Sequence, residues 1–120
     1  MAGRPWSNFM DGKKLAALHL KKSGTSVMDL DWEGISNNSI DIVAKDNGHL
    51  IFVDVNTYYK NQDDLKKDNE VDRLKKNMLP AMNLYLSDKL EVSNFRIDSI
   101  SVILSGNNPE ILHNKDIKID

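Results

Sequence analysis

The sequence predicts an α/β sandwich, one mixed sheet with helices on its faces. Three observations predict it. Helical periodicity marks one segment near the start and another in the second half, while two-residue alternation marks the segments between and after them. Asp46-Asn47-Gly48 joins two alternating segments as a hairpin, because Asn-Gly accepts the positive φ of a primed turn. The order helix, three strands, helix, one or two strands then fits a sheet covered by helices.

Each element follows from its residues. From about Trp6 to Ser23, Phe9, Ala16 and Leu20 share a helical face with Leu15 and Leu18 alongside. Ser7 is an N-cap and Gly24 a C′ glycine. Gly12 is out of place on propensity, so it marks a close packing contact or a later helix start. Thr25 to Trp32 alternates as a half-exposed strand, and Gly34 to Asn38 is a turn or loop. Ser39 to Lys45 is the second strand, with Ile40, Ile42 and Ala44 on one face and Asp41 and Val43 on the other. His49 begins the third strand, antiparallel to the second. Thr57 to Asp68 is a long polar stretch containing Tyr58 and Tyr59, a length typical of functional or mobile loops. A second helix spans about Asn69 to Ser87, and Pro80 predicts a kink or break near Met78–Leu79. Phe95 to Leu104 is a fourth strand, Ile111 to His113 a short edge strand, and residues 114–120 a loose tail.

Bulk composition limits the functional classes. At 120 residues with 40% hydrophobic content, the chain makes one domain with one core, about 7–113. It has no cysteine, which excludes disulfides and cysteine-ligated metal centres and fits a reducing compartment. No apolar run reaches the ~20 residues of a membrane helix, and the N-terminus lacks a signal-peptide core. A cytoplasmic protein without a membrane partner is expected. The net charge of −2 weighs mildly against non-specific nucleic-acid binding. Lys13, Lys14, Lys21 and Lys22 cluster early and Lys66, Lys67, Arg73, Lys75 and Lys76 later, a pattern that solvated helix faces also explain.

The chain has no Gly-rich phosphate loop, nucleophile elbow or His-x-x-x-His pair. His19, His49 and His113 are scattered and read as surface or half-buried residues without a catalytic task. The carboxylates are more informative. Alternation puts Leu50, Phe52, Asp54 and Asn56 on one face of the third strand. A hairpin turning at Asn47-Gly48 brings Asp41 opposite Asp54, with Cβ atoms about 5 Å apart. Like charges so close need an offset, which a divalent cation with oxygen ligands supplies. A solvated strand end or a slipped register is the alternative.

IDIVAKDNGHLIFVDVNT is similar to the YraN-like bacterial family, whose pattern is roughly G-E-I-D-L-I-A…L-V-F-V-E-V-K-T-R. GKKLAALHLKKSG resembles that family's first helix, Leu30-Asp31-Trp32 its first strand end, and AMNLYL and FRIDSISV its second helix and following strand. The likeness covers roughly residues 10 to 104. It implies the restriction-endonuclease-like αβββαβ fold of the PD-(D/E)xK nuclease superfamily. The resemblance makes Asp41 and Asp54 metal ligands and catalytic acids, gives the metal the Val55 backbone carbonyl, and puts Asn56 at the catalytic lysine position. Mg²⁺ or Mn²⁺ is the cofactor it implies. Nucleic acid, DNA ahead of RNA, is the partner, contacted through Lys13, Lys66, Lys67, Arg73 and Lys75, and a homodimer is compatible with it.

Several positions depart from that pattern. Asparagine carries no charge and cannot serve as a general acid or base near neutral pH. Lys13 stands at the first-helix glutamate position, Ser39 before Ile-Asp, and Tyr58 at the arginine position. These changes point to weak or lost metal-dependent phosphodiester hydrolysis in a nucleic-acid-binding domain. The alternative is a non-enzymatic protein-interaction module on the same fold. Lys13, Lys45, Arg73 and Lys75 are the candidates for a cation that replaces the motif lysine.

Overall fold

The computed structural model describes residues 9–36, 38–58, 70–89, 94–104 and 108–119. Helix α1 (Phe9–Lys22) leads into strands β1 (Ser26–Glu33), β2 (Ser39–Asp46) and β3 (His49–Tyr58). A second helical stretch follows: α2 (Glu70–Arg73), a π-helical turn over Leu74–Met78, and α3 (Leu79–Leu86). Strands β4 (Phe95–Ile103) and β5 (Glu110–Asn114) complete the order. The five strands form one open sheet, β1-β2-β3-β4-β5. β3 and β4 are parallel and the other pairs antiparallel. A parallel pair needs a crossover, and α2–α3 lies within it in sequence.

The hairpin register is the one the turn dictates. Asn47 and Gly48 both have positive φ (50° and 82°), and Asp46 pairs with His49, Ala44 with Ile51 and Ile42 with Val53. Gly24 (φ 89°) closes α1, and the Thr25 N–H bonds the Leu20 carbonyl at 2.9 Å. Pro80 has the effect its chemistry demands. It lacks an N–H and crowds the preceding turn, and there the helix widens into the π turn before α3 starts.

Two cores form on opposite faces. Ala16, Ala17 and Leu20 of α1 pack against Ile42, Ile51, Val53, Ile100 and Val102. Leu74, Met78, Met82 and Tyr85 pack against Val43, Leu50, Phe52 and Ile97. Phe52 and Trp32 meet the Tyr85 ring edge-on at 5.6 and 5.1 Å. Leu18, expected beside the buried face of α1, is 47% exposed.

Three details differ from the sequence reading. Ile40 packs with Val43 and Phe52, on the face opposite Ile42. The strand reverses face at Asp41; on the neighbouring β1, Asp31 has φ 51°, and Trp32, the partner of Ile40, packs against the second core as well. The closing segment is tied down: Ile117 donates its N–H to the Ile97 carbonyl at 2.7 Å, and Ile117 and Ile119 pack against the second core. Strand β3 runs through Tyr58, into the stretch read as a loop. Ser7, Tyr59, Lys66 and Lys67 lie outside the described residues. Among those described, no helix is long and apolar enough to cross a membrane.

Candidate functional site

The β2–β3 ladder runs as far as Ile42 and Val53, and Asp41 and Asp54 are the next residue on each strand. Val55 is the next β3 residue whose backbone groups face β2, since Leu50, of opposite parity, donates to Asn94 on the other side. The Val55 N–H goes to the Asp41 carboxylate, Oδ2, at 2.7 Å. A side chain thus takes the place of a ladder carbonyl at the point where β2 reverses face. A strand places the carbonyl of a residue on the same side as its N–H, so the Val55 carbonyl also faces β2.

Helix α1 approaches this point because Gly12 lets it. A Cβ on Gly12 would fall on the Thr57 hydroxyl and lie 3.2 Å from Thr57 Cβ. The unfavourable helix glycine is therefore a packing contact with β3. Lys13, the next residue, pairs with Asp31 and lies 3.4 Å from Asp41 Oδ1. Arg73 reaches Asp54 Oδ2 at 2.8 Å from α2, and Asn56 Nδ2 reaches the same oxygen at 2.7 Å. Both bonds to Asp54 come from the face it shares with Phe52, as alternation requires.

Burial holds the Asp41 carboxyl above its ordinary pKa, and the charge of Asp54 adds to the rise. The Val55 N–H and the Lys13 ammonium oppose it. Burial lowers the Lys13 pKa, but Asp31 and Asp41 together outweigh that and raise it overall. At Asp41, burial and the Asp54 charge thus outweigh the two donors that favour the carboxylate.

Of the four candidate replacement cations, the structure brings two to the acids, Lys13 and Arg73. Lys45 pairs with Leu50 and Ser26 toward the hairpin turn, and Lys75 is exposed on the π turn beside Lys76. Asp31 is the member that the sequence reading missed as a partner. Its only local signal was a carboxylate in an alternating strand. Among the described residues, no three His, Asp or Glu side chains are arranged to hold a metal.

A second polar cluster was also missed. Asp98, fully buried on β4, accepts from Arg96 Nε at 2.9 Å and from the Asp116 N–H at 3.0 Å. It also lies 2.8 Å from His113 Nε2. His113 Nδ1 in turn is 3.0 Å from His19 Nε2 on α1. Burial raises the Asp98 pKa, but the donors from His113, Arg96 and Asp116 outweigh it and bring it down to about 2. The two histidines read as scattered are direct neighbours. The available clue was parity, since Asp98 is in phase with the core residues Ile100 and Val102.

The chain matches the model of the uncharacterised protein family UPF0102 over residues 12–102. It is 32% identical over 101 residues to a UPF0102 protein of Dehalococcoides mccartyi, covering 83% of each chain. It is 30% identical over 98 residues to a UPF0102 protein of Clostridium acetobutylicum, covering 81% of this chain and 80% of that one. The matched span contains every residue of the acidic site, from Gly12 through Arg73, and the likeness extends over most of each relative's length. The chain belongs to the UPF0102 family.

Proposed function

We propose that this protein is a nuclease-fold, PD-(D/E)xK-type domain that contacts nucleic acid at the sheet end carrying Asp41 and Asp54, with weak or lost phosphodiester hydrolysis. The observation that carries this reading is the juxtaposition of Asp41, Asp54 and Asn56 on adjacent strands. The amide of Asn56 is spent on Asp54. In the motif the resemblance supplies, that position holds a lysine that positions the attacking water and offsets the charge on phosphate. An amide does neither. Arg73 brings a positive charge to Asp54. A guanidinium stays protonated and orients an anion without exchanging a proton with water. Binding without efficient cleavage is the consequence.

Lys75 and Lys76, exposed on the π turn beyond Arg73, are the phosphate contacts this reading favours among the described residues. A gel shift of nicked or branched DNA at low salt tests it. Binding that falls in Lys75→Glu/Lys76→Glu supports the reading, and an unretarded wild-type probe overturns it. Asn56→Lys assayed with Mn²⁺ then reports on cleavage. Nicking by the variant alone identifies position 56 as the block.

A further inference from the structure

We propose that Lys13 and Arg73 act as built-in counter-ions that close the Asp41–Asp54 pair, so that the site balances its charge without a divalent metal. The inference rests on the acid pair of the preceding section and is independent of nucleic-acid binding.

A magnesium or manganese ion bound here needs carboxylate oxygens with open lone pairs and a near-octahedral shell at about 2.0–2.1 Å. The acids here are already engaged by donors, two of them cations. Asp41 Oδ2 is committed to the Val55 N–H at 2.7 Å, and Asp41 Oδ1 faces the Lys13 ammonium at 3.4 Å. Asp54 Oδ2 receives both Asn56 and Arg73, at 2.7 and 2.8 Å. An ion between the acids would face a lysine on one side and an arginine on the other. Like-charge repulsion in a half-buried site is weakly screened. The metal that the resemblance implies therefore does not fit the residues present.

The sequence departures follow the same logic. The first-helix position that carries glutamate in the resembled pattern would add a third acid. Here it is Lys13, whose ammonium is shared between Asp31 and Asp41. Asp31 anchors the lysine at the edge of the site, and Gly12 lets the helix come close enough for the side chain to reach. The sign of one ligand position has been inverted, and a neutral amide stands at the lysine position on the other side. Together the two changes replace a metal-centred arrangement by two ion pairs.

The test is a titration of the isotope-labelled full chain with Mg²⁺, followed by Mn²⁺ as a paramagnetic probe, read at the amides of Asp41, Asp54 and Val55. No site-specific shift or broadening is expected for the wild type at millimolar metal. In Lys13→Glu/Arg73→Gln, Mn²⁺ affinity should rise by about ten-fold or more, the scale of a ligand-shell change. Lys13→Glu alone should move in the same direction if the double variant does not fold. Saturable wild-type shifts at these three amides overturn the proposal, as does a folded Lys13→Glu that binds Mn²⁺ no better than wild type. A gel shift in EDTA separates the two readings. Loss of DNA binding with a metal-silent site defeats the proposed function and leaves the counter-ion proposal standing.

Discussion

Asp98 on β4 and Asp41 on β2 are both carboxylates drawn into the sheet, and α1 reaches Asp41 through Lys13 and the Asp98 cluster through His19 on His113, yet their surroundings differ in kind. Asp98 accepts Arg96 and the Asp116 N–H and sits against His113, so its charge is stabilised well beyond the cost of burial. Asp41 has one backbone donor and one ammonium that it shares with Asp31, and it faces a second acid. The difference separates a carboxylate that holds the fold together from one the fold tolerates. Saturated buried ion pairs are costly to break, whereas Asp41 shares its ammonium with Asp31 and lies near Asp54, so removing its charge costs little.

The comparison can be broken most sharply at Asp98. Asp98→Asn leaves Arg96 facing a neutral group and loosens the closing segment, so urea unfolding should show a loss of about 3 kcal/mol. A loss well under 1 kcal/mol would mean the cluster is not a clasp. The pH dependence sharpens the point. The Asp98 pKa is depressed from 3.8 to about 2, so its stabilisation is fully present above about pH 4 and lost as pH falls through about 2. The shift corresponds to about 2 kcal/mol. The gap between wild type and Asp98→Asn should narrow by that amount across this range.

Gly12→Ala tests whether α1 serves both clusters at once. The substitution favours the helix by about 1 kcal/mol on propensity. The added Cβ meets Thr57, however, and overpacking there should reverse the sign to a net loss of about 1–2 kcal/mol. Chemical shifts should move at Asp41 and at His113 together; movement at one cluster alone would uncouple them.

His19→Gln should cost about 1 kcal/mol, the scale of one hydrogen bond. Burial and the neighbouring His113 and Lys115 lower the His19 pKa. Its contribution is therefore present above the unfolded value of 6.5 and lost as pH falls through the lower folded value. The variant should lack that acid-side slope.

The smallest effect is expected at Asp41. Its pKa is raised, so the folded protein gains stability from this group as pH falls through the folded value. Asp41→Asn keeps an acceptor for the Val55 N–H and removes the repulsion from Asp54, so stability at pH 7 should stay within about 1 kcal/mol of wild type. A loss as large as that of Asp98→Asn would erase the distinction between the two clusters.

Part of the acidic site's placement was legible in the sequence. Asn47-Gly48 fixes a primed turn, and the turn fixes the register as far as Ile42 and Val53, one residue short of Asp41 and Asp54. Alternation correctly grouped Asp54 and Asn56 with Phe52, and Gly12 announced a close contact. It failed at Ile40, where β2 departs from regular alternation beside the left-handed Asp31 of the neighbouring strand. The loose tail failed for a similar reason: Ile117 and Ile119 have no local pattern, and only the second core gives them a place.

Sequence by itself determined whatever depends on neighbours along the chain: helix and strand periods, the hairpin turn, the glycine stops, the irregularity ahead of Pro80, and the chemical deficit at Asn56. Tertiary structure decided the partners. Lys13 meets Asp31 and Asp41, Arg73 meets Asp54, and His19 meets His113 beside Asp98, each across 18 to 94 residues of chain. Turn chemistry and side-chain period act over a few residues and leave their signature in composition. An ion pair between distant segments leaves none, because it exists only once the parallel β3–β4 pairing and the packing of α1 have brought both partners to the same end of the sheet.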